Sequence, residues 1–228
     1  MGCEKSVEIQ NILSEEEISE GWKLLFDGKT TRGWHLYNKG NVPSAWMVKD
    51  GVLSCYPYTF EVKQGDLITD ETFRNFDLKF EWKVSEAGNS GVFINVQESK
   101  EYPTAWATGP EYQLIDNRDI GKNSFLYADS TRWAACLYGI KPNLNKPTVE
   151  PAGSWNYSRI LQKDGKITFW LNGVITAEQD LADPSWSKLI AQSELSDYIH
   201  FGKFKEGHIG LQYWSKGVSF RNVKIREL

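Results

Sequence analysis

Cysteine, histidine and methionine are scarce in this chain, numbering three, three and two among 228 residues. Cys3, Cys55 and Cys136 form an odd set without a C-x-x-C pair, which excludes a zinc knot and a disulfide scaffold. Long apolar runs are missing too, and no window approaches the roughly 18 consecutive apolar residues of a membrane helix. Positive charge has no surplus: 26 Lys and Arg stand against 30 Asp and Glu, a net charge of −4. The basic residues are scattered, so nucleic acid finds no patch to hold and is excluded as a partner. Internal repeats, low-complexity segments and linkers are absent as well.

Aromatic side chains are abundant instead, at 14% of residues with ten Trp among them. That is more than a core of this size needs, and surplus Trp often serves flat ligands such as sugar rings. Hydrophobic residues make up 40% and charged residues 25%, the composition of a folded globular chain.

Period-2 patterning dominates. Phe76-Asp77-Leu78-Lys79-Phe80-Glu81-Trp82-Lys83-Val84 alternates apolar and charged residues, the signature of a strand with one wet face. Asp50-Gly51, Asp164-Gly165 and Asn172-Gly173 sit between apolar runs, where tight hairpins need positive φ. Further strands are expected at 91–97, 111–116, 155–163, 166–171, 208–214 and 218–226. Two short helices are expected, one capped by Ser14 with Glu17, the other opening at Asp183-Pro184. The whole reads as an all-β, two-sheet antiparallel jelly roll over residues 21–228, preceded by a lead-in over 1–20.

Cys55 lies in the strand-like run Val52–Tyr56 and reads as a small buried side chain. Cys3 follows Gly2 in a charged stretch. Three readings apply there: an N-myristoylation pattern, a bacterial lipoprotein whose leader has been removed, or an inert thiol. The lipoprotein reading is favoured, with a lipid anchor at Cys3 and a periplasmic or cell-surface location.

Two strands carry polar residues at alternate positions. Glu111 and Gln113 share one face, Tyr112 and Leu114 the other, and a bulge at Leu114-Ile115 would return Asp116 to the Glu111 face. Asn89, Phe93 and Asn95 likewise point one way, with Gly91 allowing close approach between them.

These stretches carry a family resemblance. Gly21-Trp22-Lys23-Leu24-Leu25-Phe26-Asp27-Gly28-Lys29-Thr30 and then Gly33-Trp34 resemble the opening of the 3-keto-disaccharide hydrolase family. Gly88-Asn89-Ser90-Gly91-Val92-Phe93 and Glu111-Tyr112-Gln113-Leu114-Ile115-Asp116-Asn117 are similar to its central motifs. Pro151–Asn156, Trp170–Gly173, Gly207–Gln212 and Val218–Ile225 match later ones in order.

The resemblance implies a concanavalin A-like jelly roll. It also implies cleavage of 3-keto-glycosides by C2 proton removal, β-elimination and hydration, the 3-keto sugar coming from a separate oxidoreductase. On that basis Glu111 is the expected base or metal ligand and Asp116 the partner acid or an orienting group. Gln113, Asn89 and Asn95 would hold hydroxyls or the keto oxygen, and Tyr213 and Trp214 would stack on the ring. A divalent metal could polarise the ketone, although no ligand spacing demands one.

Two departures stand out: Trp214 occupies the place of a common family His, and Asn95 that of an Arg. His208 is the candidate substitute for the missing His, against the reading of a hydrogen-bonded structural histidine; His35 and His200 read as structural or exposed rather than catalytic. A carbohydrate-binding module on the same fold is the main alternative. A retaining β-glucanase using Glu111-x-Gln113-x-x-Asp116 is a weaker one, and a purely structural sandwich a third class.

Overall fold

Along Phe76–Val84 the apolar members Phe76, Leu78, Phe80, Trp82 and Val84 are buried, while Lys79, Glu81 and Lys83 are partly exposed. Asp77 departs from the alternation; it is buried, and Arg159 grips both of its oxygens at 2.7 and 2.8 Å. The computed structural model describes residues 10–56, 61–118 and 129–228. Cys3 lies outside these residues, and with it the expected lipid anchor.

Thirteen strands form among the described residues: β1 (Trp22–Leu24), β2 (Trp34–Leu36), β3 (Trp46–Lys49), β4 (Val52–Cys55), β5 (Leu67–Thr69), β6 (Phe76–Val84), β7 (Asn89–Val96), β8 (Glu111–Ile115), β9 (Asn156–Lys163), β10 (Lys166–Leu171), β11 (Val174–Asp180), β12 (His208–Leu211) and β13 (Val218–Glu227). They make an eight-stranded sheet in the order β11-β10-β9-β6-β13-β4-β3, with β1 also on β13. A five-stranded sheet has the order β2-β5-β12-β7-β8. The pairings are antiparallel, and the two sheets form a jelly-roll sandwich. Helix α1 (Glu15–Ser19) carries the expected capping box, and α2 (Pro184–Ala191) starts at its Asp183 cap. Among the described residues no helix is long and apolar enough to cross a membrane.

One cluster of buried residues draws on both sheets from Phe26 to Ile225. Tyr112 of β8 is its polar pin. Its hydroxyl donates to the Trp170 carbonyl at 3.0 Å and shares a 2.6 Å hydrogen bond with Ser158, which also accepts from the Trp82 indole at 2.8 Å. Phe80 meets the ring edge-on and Phe169 at a tilt, with centroids at 5.7 and 5.1 Å. With Tyr112 and Leu114 committed to the interior, period 2 sends Glu111 and Gln113 to the opposite face.

The expected bulge at Leu114-Ile115 does not form. β7 and β8 pair without a slip, from Asn89 opposite Ile115 to Phe93 opposite Glu111. The irregularity lies on β7, where His208 pairs Val96 but Gly210 pairs Phe93, leaving an extra residue on that strand. Asn95 takes φ 58° within this bulge, a left-handed conformation that Asn tolerates better than most residues.

Candidate functional site

The face of the five-stranded sheet turned away from the core holds a cavity of about 300 Å³. Its floor is polar: Asn89 of β7, Glu111 and Gln113 of β8, and Gln212 just after β12. Its rim is aromatic and apolar apart from Glu194. Trp106 comes from a 3-10 turn (Ala105–Ala107), Trp214 from the chain beyond β12, and Leu195, Tyr198 and Phe201 from the segment after α2. Tyr138 closes one side. The strand-like segment carrying it lies along β8, its N–H donating to the Glu111 carbonyl at 3.0 Å.

Glu111 is the chemical centre of this floor. It lies over Gly91, is almost wholly withdrawn from solvent, and receives no hydrogen bond to its carboxyl among the described residues. Burial, and then the neighbouring Asp66 carboxylate, push its pKa well above the ordinary carboxylate value. Asp66 precedes β5 and is buried as well; it accepts the Tyr213 N–H at 2.8 Å. Burial raises its pKa to about 6, against the lowering effect of that hydrogen bond. Tyr138 accepts a 2.9 Å hydrogen bond from Arg132, whose other nitrogen binds Glu194 at 2.7 Å. Burial still lifts the Tyr138 phenol to about 12.

The structure brings together Glu111, Gln113, Asn89 and Trp214 from the expected set and parts the others. Asn95 points between the sheets instead of into the cavity. It is fully buried, donating to the Gln162 amide oxygen at 2.7 Å and accepting from its nitrogen at 3.0 Å. The bulge is the reason, since one extra residue reverses the facing of the residues beyond it. Asp116 stays off the Glu111 face because β8 has no bulge. Its carboxylate accepts the Ala87 and Arg118 N–H groups at 3.1 Å each, beside a separate depression near Pro151.

Tyr213 offers Asp66 its backbone, and its side chain packs against the core margin. His208 does not reach the cavity. Its Nδ1 donates to the Thr69 carbonyl at 2.7 Å, and its ring meets His35 edge-on at 6.1 Å. His35 sits between Asp70 and Glu98 at 2.6 and 3.0 Å; burial opposes its charged form, but the two carboxylates prevail and raise its pKa. Asp66, Trp106, Tyr138 and Tyr198 were not among the expected residues. Gln212 closes the Gly-Leu-Gln run, and Asp66 shares the period-2 face of Ile68, so those two carried a readable signal. Among the described residues no three His, Cys, Asp or Glu side chains gather as a metal site would require.

A family model described as a 3-keto-alpha-glucoside-1,2-lyase-like domain matches residues 21–226. A 3-keto-disaccharide hydrolase of Bacteroides thetaiotaomicron is 34% identical, over 92% of this chain and 79% of that protein. Among solved structures, a proposed glycosyl hydrolase from Parabacteroides distasonis superposes with TM-score 0.87 at 34% identity, over 96% of this chain and all of that one. A second from the same organism has TM-score 0.67 at 25% identity, covering 91% and 99% of the two chains.

Proposed function

The chain belongs to the 3-keto-alpha-glucoside-1,2-lyase-like family, and on that premise we propose that it is a glycoside-cleaving hydrolase of 3-keto sugars with Glu111 as its base. The observation that carries the assignment is the Glu111 carboxyl, buried on an amide-lined floor with nothing in the described protein donating to it. A C3 ketone acidifies the C2 proton. Glu111 takes that proton, and the C2–H electron pair passes to the C3 oxygen as an enolate. The amides of Asn89, Gln113 and Gln212 line the cavity as hydrogen-bond donors for this developing charge. When the ketone re-forms, the C1–C2 double bond appears and the C1–O bond breaks. Tyr138 protonates the departing oxygen in this reading, which the Arg132 hydrogen bond supports by donating to its hydroxyl and leaving the phenolic proton free. Water then adds to the enone, its hydroxyl to C1, while Glu111 returns a proton to C2 and water restores that of Tyr138. The net change is hydrolysis.

A base whose pKa is raised toward working pH binds the C2 proton more strongly, which favours this role. The C3 ketone must be made by a separate oxidoreductase acting on the glycoside. Glu111→Gln keeps the side chain's shape but cannot accept the proton, so kcat on a 3-keto-glycoside should fall by about 10²–10⁴-fold. A variant at full rate would overturn the assignment. A wild type that binds sugars but turns over no 3-keto-glycoside would instead be a carbohydrate-binding module.

A further inference from the structure

We infer that the cavity rim is a subsite for a flat aromatic leaving group, so that 3-keto-glycosides of aromatic alcohols are taken in preference to 3-keto-disaccharides. The inference rests on the preceding reading of the cavity and names the part of the substrate which that reading leaves open. The amides and the Glu111 carboxyl lie on the sheet floor and the rim adds Glu194 and two tyrosine hydroxyls, whereas Trp106 and Trp214 together form an aromatic part of the rim. Their rings meet at 87° with centroids 5.9 Å apart, which makes an apolar corner of one indole face and one indole edge. Trp214 is 53% exposed, so its surface is open to a ligand.

Three polar groups of the rim already hold a partner, and the proton left on Tyr138 is kept for the departing oxygen. The Trp106 indole N–H donates to the Tyr198 hydroxyl at 3.2 Å. Tyr138 and Glu194 both accept from Arg132. A second sugar seated here would lose water from its hydroxyls and find few partners in return, which is unfavourable. A flat aromatic ring loses no hydrogen bonds, and the paired indoles offer it both stacked and edge-on contact. Size points the same way. A cavity of about 300 Å³ is at the lower end for small-molecule sites, so one ring on the floor leaves the leaving group at the open Trp214 end.

The test compares kcat/KM for the 3-keto derivatives of benzyl glucoside, methyl glucoside (both anomers of each) and trehalose. Benzyl alcohol departs no more readily than a sugar, so a benzyl preference reports contact. The expected result is a benzyl-to-methyl ratio of about ten or more, with trehalose below benzyl. In Trp214→Ala, at an exposed position that does not threaten folding, that ratio should fall towards one. Trp106→Phe retains a ring to pack against Phe93 and Ile68 and should lower the ratio less. Trehalose as the best substrate, or a ratio unchanged in Trp214→Ala, overturns the inference. Fluorescence titration with unoxidised benzyl and methyl glucosides separates its failure from that of the catalytic reading. Trp214-dependent benzyl preference without turnover of any 3-keto substrate sinks only the catalysis, and equal affinities sink the aromatic subsite.

Discussion

A Cβ placed on Gly91 would stand 2.0 Å from Glu111 Oε1 and 2.6 Å from its Cδ, so the Glu111 side chain fills the space that this glycine leaves. Gly91 pairs with Gln113 and Phe93 with Glu111, which means that the carboxyl reaches diagonally across β7. The glycine is needed for room and not for backbone freedom, because its φ is not positive.

Gly91→Ala should therefore displace the carboxyl while leaving the sheet intact. The nearest atoms that the new methyl meets are those of the Glu111 side chain, which can swing away. Misplacement of a reacting group by about 1 Å can cost about 10²-fold, so kcat/KM on a 3-keto-glycoside should fall at least that far. The melting temperature should move little. Full activity in this variant would mean that the carboxyl is not needed where it lies.

The acid limb of the kcat/KM profile should lie above the ordinary Glu value of about 4.3. Burial first, then the Asp66 charge, disfavours ionised Glu111, and a base works only once deprotonated. Activity therefore rises with pH through the apparent pKa of a coupled pair. In Asp66→Asn the like charge is gone and the limb should shift to lower pH. An unshifted profile would remove Asp66 from this account.

Much of the sandwich was legible because alternation is a property of the covalent chain. Phe76–Val84 and Tyr112 show it directly, and with them the outward facing of Glu111 and Gln113. Asn95 was not legible, because its facing depends on a bulge set by how β12 pairs with β7. Asp116 failed for the converse reason: β8 ran regular where a bulge was expected. Asp66 acts on Glu111 through its charge, across a sheet order, β2-β5-β12-β7-β8, that is not sequential. Trp106 and Tyr198 ride on connecting segments whose path is decided by tertiary packing, to which strand periodicity is blind.

Asp66 also makes stability pH-dependent. Its folded pKa, about 6, lies above the unfolded value of about 3.9. Between those values the unfolded chain releases a proton that the folded chain keeps, so stability falls as pH rises through that window. The cost is absent below about pH 4 and complete above about pH 6. Asp66→Asn retains an oxygen for the Tyr213 N–H but carries no charge. Thermal melts should show the variant gaining on wild type from pH 4 to pH 8; a constant difference would contradict the buried-carboxylate account.

Asn95 and Gln162 join the two sheets through a reciprocal amide pair, and that pair should matter to stability and not to catalysis. Asn95→Ala leaves the buried Gln162 amide short of partners. Gln162 still donates to the Arg74 and Lys205 carbonyls at 2.6 and 3.0 Å, so its oxygen is the group stranded. A buried acceptor left unsatisfied costs about 1–3 kcal/mol. Alanine also resists φ 58°, a left-handed conformation that costs about 1–2 kcal/mol for a residue bearing a Cβ. Asn95→Gly loses the same hydrogen bonds without that strain, so it should be the less destabilised of the two in urea melts. Both should keep kcat/KM on a 3-keto-glycoside within about two-fold of wild type, because neither alters the cavity floor. A large loss of turnover in the folded Gly variant would return Asn95 to the site and overturn its assignment to the sheet interface.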